Sequence, residues 1–189
     1  MQHHTVRGGS RSVRTLVGAV VLGLCVSACS SSPDREYEIP ESLCGVTVPT
    51  DRLEPLLPAG KEISVRPGAA EIDGIERCRL HVDGDEVLSF TTEWWEAGTG
   101  LREAATSAAG LSGHDSIGLG GDEKVREEPP YMYSKTGALA EVSCAKPRKA
   151  DQELFASARV NEPGRPDEAA MKKLIAAYAE AVGKSGECT

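Results

Sequence analysis

The side chains with the most chemistry to offer are the six cysteines, because a thiol can be acylated, oxidised to a disulfide or deprotonated onto a metal. No Cys-x-x-Cys pair occurs, and beyond residue 28 the imidazoles are His81 and His114 alone, so a zinc centre is not expected. Other reactive arrangements are thin. Gly118-Leu119-Gly120-Gly121 is rich in glycine, yet it lacks the spacing of a phosphate-cradling loop and runs into Asp122 and Glu123, so it reads as a flexible turn. Asp83, Asp85 and Glu86 carry calcium-type oxygens without the ligand spacing of a calcium loop, and read as a hairpin turn. Ser112-Gly113-His114-Asp115-Ser116 places three polar types side by side, whereas the partners of a hydrolytic triad converge from separate segments. No catalytic residue, cofactor or metal is therefore expected.

One cysteine is set apart by its surroundings. Arg7, Arg11 and Arg14 precede an apolar run from Leu16 to Val26 with no acidic residue before it, which is the order of a secretory signal. The run is too short for the roughly 20 residues of a membrane-spanning helix, and it ends in Ser27 and Ala28 directly before Cys29. Val26-Ser27-Ala28-Cys29 resembles the bacterial lipobox, with Val in place of the usual Leu. The resemblance implies diacylglyceryl transfer to the Cys29 thiol and cleavage between Ala28 and Cys29. Two acyl chains give stable anchoring where one gives marginal, reversible binding. The expected product is attached to the cell membrane through lipid on Cys29, on the extracytoplasmic face.

Loss of residues 1–28 leaves 18 basic against 29 acidic residues, a net charge of −11. Such a chain is repelled by nucleic acid phosphates and anionic headgroups, so nucleic acid is not an expected partner and the lipid is the expected sole attachment. The densest basic run, Lys146-Pro147-Arg148-Lys149, is short and broken by proline, and reads as a solvated turn.

With Cys25 in the leader and Cys29 acylated, Cys44, Cys78, Cys144 and Cys188 remain, an even number outside the cytosol that predicts two disulfides. Three pairings are open. Loop entropy does not choose among them, since it assigns each bridge about 4 to 5 kcal/mol in any arrangement.

The elements that would position these residues follow from periodicity and punctuation. Residues 29–43 hold two prolines and no apolar period, and read as a lipid anchor and flexible tether of at most about 50 Å when extended. Residues 44–189 have the size of one domain. Thr50 is a candidate N-cap for a short helix through Leu57, which Pro55 and Pro58 keep irregular. Strands are predicted at 62–66, 76–82 and 86–96, the last two joined by an Asp83-Gly84 turn, with Cys78, Leu80 and Val82 sharing one face. An Ala-rich helix over 99–109 follows, capped by Thr99. Further strands are predicted at 122–126, 131–135, 138–145 and 153–160, between Pro and Gly punctuation. A closing helix begins at Pro166 with a core stripe of Met171, Leu174, Ile175, Tyr178 and Val182. The order α-β-β-β-α-β-β-β-β-α predicts an α+β domain, a mostly antiparallel sheet flanked by helices.

Several short motifs spread over nearly the whole mature chain carry a resemblance: Leu43-Cys44-Gly45, Leu56-Leu57-Pro58, Cys78 to Gly84, Val142-Ser143-Cys144, and a last helix through Ala176-Ala177-Tyr178 that ends at Cys188. Together they resemble the small secreted lipoproteins of unknown function of actinobacteria. The resemblance implies a sheet with flanking helices and two sequential disulfides, Cys44 with Cys78 and Cys144 with Cys188. That pairing would also tie a segment beside a helix to a neighbouring strand. It supplies no catalytic residues.

A binding surface is the remaining expectation. Trp94 and Trp95 are neighbours on a strand and point to opposite faces, so Trp95, of opposite parity to Leu88, Phe90 and Trp94, is the candidate for the outer face, joined by Tyr131 or Tyr133. The function expected is a noncatalytic binding or interaction module at the cell envelope, for an envelope protein or a small apolar ligand. An envelope enzyme, with His81 or His114 beside a carboxylate and a nucleophile, and a structural or maturation factor are the alternatives.

Overall fold

The structure, a computed structural model, describes residues 35–68, 74–106, 117–119, 122–147 and 150–188. The expected leader over residues 1–28, the expected lipid site Cys29, residues 112–116 with His114, Gly120, Gly121, Arg148 and Lys149 lie outside the described residues. Among those described, no helix is long and apolar enough to cross a membrane.

Ser42–Leu43 (β1) and Val46–Thr47 (β2) form a small hairpin whose two turn residues, Cys44 and Gly45, both have positive φ, 51° and 97°. That is the backbone of a tight turn whose twist matches the flanking strands. Next come a one-turn helix, Thr50–Leu53 (α1), and a 3-10 turn, Glu54–Leu56, with Pro55 at its start. Pro49, not Thr50, occupies the N-cap of α1, and no side chain caps it. The expected short helix is thus divided, as its prolines require.

The strands Ile63–Pro67 (β3), Ile75–Val82 (β4) and Asp85–Glu96 (β5) form an antiparallel meander. Asp83 and Gly84 make the second tight turn, again with positive φ at both residues, 52° and 96°. Helix Leu101–Thr106 (α2) follows, then Lys124–Glu127 (β6), Pro130–Tyr133 (β7), Gly137–Val142 (β8), Gln152–Val160 (β9) and the long helix Glu168–Gly183 (α3). Thr99 donates its hydroxyl to the Glu96 carbonyl and so does not act as the expected cap of α2. Asp167 caps α3 by accepting from the Ala170 amide at 2.8 Å.

The seven longer strands form one antiparallel sheet in the order β3-β4-β5-β9-β8-β7-β6. The fold is α+β, with two disulfides, Cys44–Cys78 and Cys144–Cys188. Both faces are covered, unequally. On one, α3 lies over β7, β8 and β9 and buries Met171, Leu174, Ile175, Tyr178 and Val182 against Phe90, Leu154, Ala156 and Tyr131. On the other, α2 and Ile117–Leu119 close a smaller core with Met132, Leu139 and Phe155.

The N-terminal boundary differs from the one expected. Residues 35–43 are not a free tether: the Arg35 guanidinium donates to the carbonyls of Glu54 and Leu57 at 3.0 Å each, and the Tyr37 hydroxyl donates to Pro58 O at 2.6 Å. Tyr37 and Ile39 pack on the main core and Leu43 is fully buried within it. The segment is polar in composition, so its docking rests on hydrogen bonds to a turn that periodicity does not display. The domain therefore includes residues 35–43.

Candidate functional site

Strand alternation assigns each candidate aromatic to a face. Trp94, opposite Leu154, packs half-buried on the main core. Trp95, opposite Glu153, packs half-buried on the smaller core beneath α2. Tyr131 and Tyr133 flank Met132 on β7 and take the parity opposite to it, so they enter the main core and are buried, with ring centroids 5.8 Å apart. The expected surface of Trp95 with Tyr131 or Tyr133 does not form, because the sheet lies between them. The reason is register: Met132, not either tyrosine, shares the Trp95 face, and that offset is set by pairings across four strands, β5, β9, β8 and β7.

Tyr131 instead borders an open groove of about 840 Å3 between α3 and the β7–β8 edge of the sheet. One wall is the flank of α3, where Ala176, Ala177, Ala179 and Gly183 leave room that larger side chains would fill. The other is Pro129, Pro130, Tyr131 and Ala140, closed at one end by Ser143 and Ala145. Gly183 is needed where the walls converge, since a Cβ there would lie 2.7 Å from the Ser143 carbonyl oxygen. Cys144, between Ser143 and Ala145, is bonded to Cys188 just beyond α3, so the second disulfide ties the end of one wall to the end of the other. The volume falls within the range of about 300 to 1,000 Å3 typical of small-molecule sites.

The groove's charged residues are Arg52, Glu141, Lys173, Glu180 and Lys184. Lys184 and Glu180 pair with each other at 2.5 Å, and Arg52 lies 3.4 Å from its neighbour Asp51. Glu141 alternates to the far side of the sheet. There, desolvation first and the nearby Glu153 second hold its carboxyl above the usual carboxylate range. Lys173 makes no ion pair, hydrogen bond or ring contact among the described residues.

The other candidates have structural roles. Asp83 accepts hydrogen bonds from the amides of Lys61 and Glu62 at 2.9 Å each, and these hold its carboxyl below the usual range. Glu86 meets Arg79 at 3.5 Å and accepts from Asn161 at 3.0 Å. Gly118 takes a positive φ of 73° in a turn whose carbonyl accepts from Ser134 and Thr136. His81 lies by the Gly84 carbonyl at 3.3 Å, at the β4–β5 turn. Cys44, Cys78, Cys144 and Cys188 are all consumed as disulfides. No family model, curated protein or solved structure matches this chain. The geometry of the groove can enclose an apolar body of modest size beside a lysine.

Proposed function

We propose that this protein is a lipid-anchored, extracytoplasmic and noncatalytic binding module of the cell envelope, one of the small actinobacterial lipoproteins it resembles, and that it takes a small apolar ligand in the groove beside α3. The observation that carries the reading is the groove itself: about 840 Å3 walled by alanine, proline and a tyrosine ring, in a chain otherwise rich in charge. Apolar walls open to water are costly unless something covers them. The lipid anchor rests on the arginine-led apolar leader and on Val26-Ser27-Ala28-Cys29. Because the domain already includes Arg35, the six residues from Cys29 onward to it reach at most about 20 Å. The module would work close to the bilayer that holds it.

The groove is tested by titrating the mature domain with an environment-sensitive apolar dye. Ala177 lines the groove and is not part of the main core's packing, so Ala177→Trp fills the space with the least disturbance elsewhere. The variant is expected to lose dye binding while Trp95→Ala retains it; unchanged binding by Ala177→Trp would defeat the assignment. Mass spectrometry of the membrane fraction tests the anchor. A diacylglyceryl adduct on Cys29 is expected, and a Cys29→Ser chain that is still processed and membrane-bound would contradict it.

A further inference from the structure

The groove's walls say that its ligand is apolar; its rim says more. We propose, building on the binding reading above, that the occupant is a single-chain amphiphile with an anionic head, whose tail lies along α3 and whose head meets Lys173. The tail follows from shape. From Lys173 to Gly183 the helix advances ten residues, or about 15 Å, and the groove follows this flank with small side chains between its ends. An apolar groove that runs along a helix suits an extended hydrocarbon chain better than a compact ring system.

The head follows from charge. The mature chain carries 29 acidic against 18 basic residues, so a randomly chosen stretch of its surface favours cations. At the groove the balance reverses. Glu180 is matched by Lys184 at 2.5 Å, Arg52 of α1 is matched by Asp51 at 3.4 Å, and the Glu141 carboxyl is on the other side of the sheet beside Glu153, which leaves Lys173 as the groove's unmatched charge among the described residues. The neighbouring lysines of α3 and β6 are engaged elsewhere, Lys172 over the Tyr133 ring at 5.6 Å and Lys124 with Glu168 at 2.5 Å, and Arg126 of β6 donates to the Glu128 carbonyl at 2.7 Å and lies over the Tyr131 ring at 5.9 Å. Lys173 alone among these lysines has no partner among the described residues, and it stands at the end of the groove opposite the Cys144–Cys188 bridge. At physiological ionic strength the net negative charge of the whole domain is screened beyond about 8 Å, so the local cation decides which head is accepted.

Three probes with one tail and different heads test this: dodecanoate, dodecanol and dodecyltrimethylammonium, each titrated below its micelle concentration into the mature domain. Because exposed charge pairs are individually weak, dodecanoate is expected to bind about fivefold more tightly than dodecyltrimethylammonium, with dodecanol between them. Lys173→Glu is expected to reverse that order and Lys173→Gln to flatten it, whereas Lys61→Gln, which removes the same charge outside the groove, leaves it standing. Both changes at Lys173 are at an exposed position, and thermal unfolding serves as the check that the fold is kept. Equal binding of the three heads, or a preference that survives Lys173→Glu or is lost in Lys61→Gln, overturns the proposed head site and leaves the groove reading intact. Absence of binding by all three overturns both.

Discussion

The two disulfides allow stability and site geometry to be separated by experiment. Cys44–Cys78 spans 34 residues and Cys144–Cys188 spans 44. In the chain-entropy treatment each closure is worth about 4 kcal/mol at 25 °C, and because the dependence on loop length is logarithmic the two differ by only about 0.2 kcal/mol. The double variants Cys44→Ala/Cys78→Ala and Cys144→Ala/Cys188→Ala should therefore lose similar stability, lowering Tm by roughly 10 °C. Their effects on the groove should differ. Cys144 sits between Ser143 and Ala145 on one wall and Cys188 follows the end of α3 on the other, while neither Cys44 nor Cys78 lines the groove. Loss of the second bridge frees two walls to separate, so dodecanoate affinity should fall by about tenfold in that variant and stay unchanged in the first. The assay is guanidinium unfolding of both variants, followed by binding measured where each is fully folded. Equal losses of affinity, or no loss in either, would refute the clamp; a stability difference above about 2 kcal/mol would show that loop entropy is the wrong basis for comparing the bridges.

Gly183→Ala pits a helix-propensity gain of about 1 kcal/mol against a Cβ placed 2.7 Å from the Ser143 oxygen, a contact expected to cost about 1–3 kcal/mol; a variant more stable than the parent would contradict the close approach. Arg35→Ala removes two guanidinium hydrogen bonds of 3.0 Å to the carbonyls of Glu54 and Leu57, and about 1–2 kcal/mol of local stability with them. Limited proteolysis should then cut within 36–43 faster, and an unchanged digestion pattern would argue against docking of that segment. The pH dependence should have two limbs of opposite sign. Glu141 has a raised pKa in the fold, so the folded state binds its proton first, and stability should rise as pH falls from neutral through that pKa, above the ordinary 4.5. Asp83 has a lowered pKa, so its contribution is complete above its ordinary 3.8 and is lost as pH falls through its folded value. Glu141→Gln should abolish the first limb and Asp83→Asn the second; urea unfolding across pH 2.5–7 checks both, and limbs that persist in the variants would reject these assignments.

Much of the architecture was legible because it is written in signals that act over a few residues. The alternation in Ile75–Val82, the Asp83-Gly84 turn and the stripe from Met171 to Val182 each settle a local choice between period two and period 3.6. The order of ten elements follows from them. What escaped was non-local or unusual in type. Cys44-Gly45 makes the same tight turn as Asp83-Gly84, but cysteine at positive φ is uncommon and the flanking strands have only two residues each. Arg35 and Tyr37 dock through backbone carbonyls of a proline-bent turn, and no hydrophobic period announces a guanidinium that caps carbonyls twenty residues away.

The groove escaped for a different reason. Patterning identifies residues that fill space, because burial selects large apolar side chains at regular intervals. A groove is made by residues that do not fill it. Ala176, Ala177 and Ala179 satisfy helix propensity whether they face a neighbour, water or a ligand, so their type carries no mark of what lies beside them. Trp95 drew attention by being large, yet it is half-buried on the smaller core, and Tyr131 reached the groove only because β7 pairs with β8 in the register that places Tyr131 opposite Ala140. A shift of one residue in that pairing would send Met132 to the groove and Tyr131 to the face of Trp95. The decisive information is thus a register between strands, joined to the absence of bulk on a helix seen from the sheet. Both become visible only once the chain has been folded back on itself.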